Sequence, residues 1–120
     1  ILMIDQTRAV GFYNVPDDAF WITGHFPGRP LMPGVLIAEV AAQLTSYIAT
    51  ETGVRGDAVI GLAGLDKLRF RSQVVPGDRL TVMVEILKIR KGVMIVTGFQ
   101  AFVGETLAAE GQITGVALPS

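Results

Sequence analysis

The run PGVLIAEVAAQLTSYIATE, Pro33 to Glu51, constrains the fold more than any other part of this chain. Leu, Ile, Ala, Val, Glu and Gln dominate it, Pro33 suits a first helical position and Gly53 stands just beyond the end, so the run predicts one long helix. Val35, Leu36, Ile37, Ala38, Val40, Ala41, Ala42, Leu44, Tyr47 and Ile48 leave no broad polar face on it. A helix apolar nearly all round has to be enclosed. It falls short of the roughly 20 apolar residues that a membrane span needs, and it carries Glu39 and Gln43, so a buried helix is the reading.

Something must wrap that helix, and the rest of the chain supplies strands. ILMIDQTRAVGFYNV predicts a first strand closed by the turn chemistry of VPDD. After the helix come AVIGLAGLDKLRFRSQVV, RLTVMVEILKI, VMIVTGFQAFV and TLAAEGQITGVAL, separated by the turns PGD, RKG and GE. Alternation supports them. Ile60, Leu62, Leu68 and Phe70 share one parity and Lys67, Arg69 and Arg71 the other, while Leu107, Ala109 and Ile113 oppose Thr106, Glu110 and Gln112. Short turns between consecutive strands mean an antiparallel sheet, and one enclosed helix means that the sheet curls around it. The expected fold class is α+β, as a single domain over residues 1–120.

Half of the residues are hydrophobic and 18% are charged, an apolar balance for a body of this size. The surplus points to a subunit interface, an apolar ligand, or both. The net charge of −1 gives no global attraction to nucleic acid or to an anionic membrane. The chain has no cysteine, which excludes disulfides, thiolate metal sites and cysteine nucleophiles and fits a reducing compartment. No secretory signal is read at the start, and a soluble, cytoplasmic protein is the expectation. One histidine with scattered carboxylates lacks the clustering of a metal site, so neither metal nor cofactor is expected.

Glu39 is the residue hardest to explain by packing. A carboxyl in an apolar helix costs free energy unless it is paired, neutralised or used, and burial would keep it protonated and able to donate. Gln43, one turn on, shares its face. The plainer alternative is that Glu39 reaches solvent or a loop. The only histidine, His25, sits in GHFPGRPLMPGV, where Gly24 and Gly28 permit unusual torsions, Pro27, Pro30 and Pro33 fix φ, and Phe26 can anchor the loop. At the helix start, the N–H groups of Gly34 and Val35 lack intrahelical partners and can hold a carbonyl oxygen that gains negative charge. Base, acid and oxyanion donors are the parts needed to remove a proton next to a carbonyl and expel a β-hydroxyl as water.

The stretch GHFPGRPLMPGVLIAEVAAQ, followed by AGLDKLRFRSQVVPGDRL, resembles the FabZ-type 3-hydroxyacyl-acyl carrier protein dehydratases over nearly the whole chain. The resemblance implies the hot-dog fold, a long central helix wrapped by an antiparallel sheet. By position, His25 matches the family's catalytic histidine, Glu39 its acidic residue on the helix, and Gly34 the glycine whose N–H binds the thioester carbonyl. It further implies a homodimer with His25 of one chain facing Glu39 of the other, often assembled into a trimer of dimers. The substrate implied is a 3-hydroxyacyl chain on an acyl carrier protein. In the mechanism this suggests, His25 takes the α-proton, Glu39 protonates the departing hydroxyl and Gln43 orients Glu39; a division in which His25 handles both transfers is the alternative.

Phe26, Leu36, Leu62, Leu65 and Phe70 are candidates for the acyl tunnel, each with ordinary core packing as its alternative. For docking an acidic carrier, the candidates are Lys67, Arg69 and Arg71 on one strand face and Lys88, Arg90 and Lys91 near a turn. Glu39 rather than Asp separates the chain from the related dehydratase/isomerase branch. LMIDQ stands where the family has LLVDR, with Gln6 for the arginine, and the resemblance implies a further segment ahead of it. A hot-dog thioesterase, an enoyl-CoA hydratase and a non-catalytic acyl-binding subunit are the competing functions.

Overall fold

The computed structural model describes residues 2–16, 34–51 and 59–118. In chain order the elements are β1 (Leu2–Met3), β2 (Arg8–Asn14), α1 (Gly34–Glu51), β3 (Val59–Phe70), β4 (Arg79–Arg90), β5 (Met94–Val103) and β6 (Thr106–Leu118). The strands form one six-stranded sheet in the order β1-β2-β4-β5-β6-β3, with every neighbouring pair antiparallel. Among the described residues a single long helix lies against it, which is the α+β hot-dog arrangement. Among the described residues, no helix is long and apolar enough to cross a membrane.

The short turns fall where the sequence puts them. Gly92 and Gly104 take φ of 73° and 60°, a left-handed backbone that costs glycine little, and they close the β4–β5 and β5–β6 hairpins. The strands in between alternate: Leu80, Val82 and Val84 of β4, Ile95, Thr97, Phe99 and Ala101 of β5, and Ile113 of β6 are buried. They meet Ile37, Ala41, Leu44, Ile48 and Ala49 of α1 in one core. Burying a leucine or isoleucine fully, as at Leu44 and Ile48, contributes about 1.5–3 kcal/mol each. Non-directional burial therefore holds the helix on the sheet.

Three expectations need correction. The opening stretch is two strands, because the Asp5 carboxylate folds the chain back. It accepts from the Thr7 N–H at 2.8 Å, the Thr7 hydroxyl at 3.0 Å, and Arg8 Nε and Nη2 at 3.0 and 2.7 Å. β1 then pairs with β2 as a small hairpin. Second, Leu107 does not share the face of Ala109 and Ile113. A register shift between Ala101 and Phe102 leaves Ala108 as an extra residue and sets Leu107 opposite Phe102, on the other side of the sheet.

The third correction concerns α1, which the described residues do not enclose. Glu39, Gln43, Ser46 and Thr50, at helical spacing, form an exposed polar stripe along it, while Ile37, Ala38, Ala41, Leu44, Thr45, Ile48 and Ala49 are buried. The sheet covers one side of the helix only. α1 starts at Gly34 and ends at Glu51, as expected to within a residue; Pro33 and Gly53 lie outside the described residues.

Candidate functional site

The helix start and the stripe behind it bring together part of the expected site. Gly34 is the first residue of α1, and the first turn carries no acidic residue, so the N–H groups there are not matched by a carboxylate of the helix's own. Five residues on, about 7.5 Å along the axis, Glu39 projects from the exposed stripe. Gln43 Nε2 donates to Glu39 Oε1 at 3.2 Å, the i,i+4 contact that the spacing predicts. Arranged this way, the carboxyl keeps its second oxygen clear of that contact. The enclosure expected for Glu39 needs a cover that the described residues do not supply.

His25 and Phe26 lie outside the described residues, as does the side chain of Val35, whose backbone belongs to the first turn of α1. Of the proposed tunnel residues, Leu36 packs against the core. Leu62, Leu65 and Phe70 do not: they are 55%, 39% and 53% exposed. Their register partners are Gly115, Ile113 and Ala109, residues of the helix-facing side of β6, so the three share the sheet face that α1 occupies. β3 lies at the sheet's edge, beyond the helix. Among the described residues, an apolar strip is left open there beside α1.

A concavity of about 500 Å³ lies on the opposite face of the sheet, lined by Arg8, Lys67, Arg69, Met83, Glu85, Gln100, Glu110 and Gln112 among others. Much of its charge is matched locally. Arg8 pairs with Asp5 at 2.7 Å and stands opposite Glu85 in the register, and Glu110 accepts from Arg71 Nε at 2.6 Å. The Arg8 guanidinium, with smaller contributions from Thr7, holds the Asp5 carboxyl well below the usual carboxylate range. This concavity faces away from α1 and does not contribute to the site built on Glu39.

The two basic groups singled out in the sequence now separate. Arg71 is engaged with Glu110, and Lys67 and Arg69 border the mixed-charge concavity. Lys88, Arg90 and Lys91 are exposed at the β4–β5 hairpin with no salt bridge to a described residue, among the exposed apolar Leu87, Ile89 and Val93. Sequence reasoning missed the buried contact between Thr45 of α1 and Thr97 of β5, whose hydroxyls are 2.7 Å apart. No pattern could have flagged it, because threonine is an ordinary strand residue and the two lie 52 positions apart.

Comparison with known proteins extends these observations. A family model described as a FabA-like domain matches residues 2–112. A protein of Desulforamulus reducens named 3-hydroxyacyl-acyl-carrier-protein dehydratase FabZ is 43% identical over 111 residues, 92% of this chain and 78% of that relative. One of Moorella thermoacetica with the same name is 45% identical over 106 residues, 88% of this chain and 73% of the relative. Among solved structures, smu.793 of Streptococcus mutans bound to acetyl CoA has a TM-score of 0.77 at 11% identity, covering 99% of this chain and 87% of that one. A hexameric acyl-CoA thioesterase has a TM-score of 0.71 at 16% identity, covering 96% and 71%. At such identities these two likenesses speak for the fold alone.

Proposed function

The chain belongs to the FabA-like family, and we infer that it dehydrates (3R)-3-hydroxyacyl-acyl carrier protein to the trans-2-enoyl thioester in fatty acid biosynthesis. It is in that reading a hydro-lyase acting as a single domain over residues 1–120, in the cytoplasm. The observation that carries it is the identity above 40% to named dehydratases over some nine-tenths of the chain, together with a helix that offers a glycine start and the Glu39–Gln43 pair.

The thioester carbonyl oxygen, negative as the α-proton leaves, is held by the N–H of Gly34, with Val35 beside it, at the positive end of α1. His25 is the base that takes that proton. Glu39, oriented by the Gln43 amide, protonates the β-hydroxyl so that it departs as water. The electron pair of the broken C–H bond becomes the new double bond, and the bond to the hydroxyl carries its pair away with the water. Leu62, Leu65 and Phe70, with Leu36 and Phe26, line the acyl chain's path.

The acid in this scheme has to be enclosed, and the open strip beside α1 favours a second copy as the cover. A homodimer, assembled further as a trimer of dimers, would close Glu39 of one chain against His25 of the other. Leu62, Leu65 and Phe70 on an edge strand support this, since large apolar groups at a free sheet edge invite pairing. The acidic carrier docks at the Lys88–Lys91 hairpin, where charge and apolar surface coincide.

Incubation with 3-hydroxyacyl-carrier substrates of several chain lengths, with products identified by mass, tests the function. Wild type should give enoyl-carrier by loss of water, and His25→Ala and Glu39→Gln should not. Free acid and unloaded carrier would mean a thioesterase instead, and bound but unchanged substrate a non-catalytic acyl-binding subunit.

A further inference from the structure

We propose that the Thr45–Thr97 hydroxyl pair positions α1 on the sheet and so sets where Glu39 and the Gly34 N–H stand, an inference that rests on the dehydratase reading. These are the only buried polar side chains among the described residues, 2% and 0% exposed, and their oxygens are 2.7 Å apart. Every other buried side chain between helix and sheet among the described residues is apolar, Ala38, Ala41 and Ala49 accompanying Ile37, Leu44 and Ile48 on the helix side. Apolar burial is non-directional, so it fixes the helix's place along the strands less sharply than a directional contact does. A hydroxyl–hydroxyl bond is directional and weakens steeply once its atoms separate.

The pair works because it is buried. A helix that slides or rolls leaves two hydroxyls buried and unmatched, whereas a slipped methyl finds another methyl. Thr45 lies six residues past Glu39 and eleven past Gly34, about 9 and 16.5 Å along a continuous helix, so the tie is carried to both groups through the backbone. Both threonines are buried whereas Glu39 is exposed, which makes them positioning residues and not catalytic ones. A misplacement of about 1 Å at a reacting group can cost up to about 100-fold in rate.

Valine keeps the shape of threonine without the hydroxyl, so the test is Thr45→Val, Thr97→Val and the double variant, assayed on carrier-bound substrate. Each single variant strands one hydroxyl and should be the less stable; the double strands none and should recover its unfolding midpoint. A purely structural pair would recover kcat along with the midpoint. Positioning predicts that the double variant stays down by about tenfold or more in kcat with KM little changed. It also predicts that Thr97→Ser keeps kcat near wild type, and that crystal structures of wild type and double variant differ in the place of α1 by about 1 Å. A double variant with wild-type kcat, a Thr97→Ser as slow as Thr97→Val, or an unmoved helix would each overturn the proposal. Wild type that forms no enoyl product would overturn the dehydratase reading instead, and the crystallographic comparison would still decide the positioning.

Discussion

Glu39 shows how far a single residue can be understood before its surroundings are known. Its oddity in an apolar helix was legible from the sequence, and so was its partner, because i,i+4 spacing brings Gln43 to it at 3.2 Å. Its exposure was only the plainer of two readings. Ser46 and Thr50 continue the stripe, and two small hydroxyl residues in an apolar run weigh little until the helix is docked. Asp5 is a residue whose effect follows from charge alone. Its folded carboxyl is held below its ordinary value, near 3.9 in an unfolded chain, so the stabilisation is complete above that value and is lost as pH falls through the folded one. Asp5→Asn should therefore narrow its stability difference from wild type as the pH drops from about 5 to about 2, in acid titrations followed by denaturant unfolding. High salt should shrink the gap at pH 7, since both partners stand in water. A difference independent of pH and salt would contradict the account.

Among the elements, β4, β5 and β6 were readable to within a residue, since Gly92 and Gly104 mark their turns and alternation marks their faces, whereas β3 ends at Phe70, five residues short of the run that the sequence suggests. Bulges were where reading failed. The extra residue at Ala108 inverts Leu107, and β3 carries two irregularities, between Leu62 and Gly64 and between Asp66 and Arg69, with Lys67 at φ 54°. A bulge is a compromise between two strands, and neither strand's sequence alone contains it. The β4–β5 hairpin is the element whose surface chemistry has the most to say about a partner. Reversing Arg90 and Lys91 to glutamate should raise KM for carrier-bound substrate and leave a short thioester mimic unaffected, with the difference fading at high salt. An equal effect on both substrates would place the hairpin outside the docking surface.

At the scale of the whole molecule, composition anticipated something that the described residues leave open. Half of the residues are hydrophobic, and the sheet and helix bury only part of them: β3 ends at an edge with Leu62, Leu65 and Phe70 uncovered beside α1. The His25 loop could be recognised in the sequence through GHFPGRPLMPGV, but its distance to Glu39 depends on a second chain in the proposed assembly, and no intrachain pattern encodes it. A charge on that strip should separate the copies: Leu65→Glu is expected to shift the sedimenting species to the monomer and to abolish turnover together. A monomeric wild type, or a Leu65→Glu dimer with full activity, would contradict the shared site. The most direct test of the central claim, that Glu39 on α1 works as the acid of an elimination, is the rate of enoyl-carrier formation by folded Glu39→Gln against wild type. The account predicts a fall of about 10²–10⁴-fold, the range of a lost general acid, with the fold intact; a near-normal rate would contradict it.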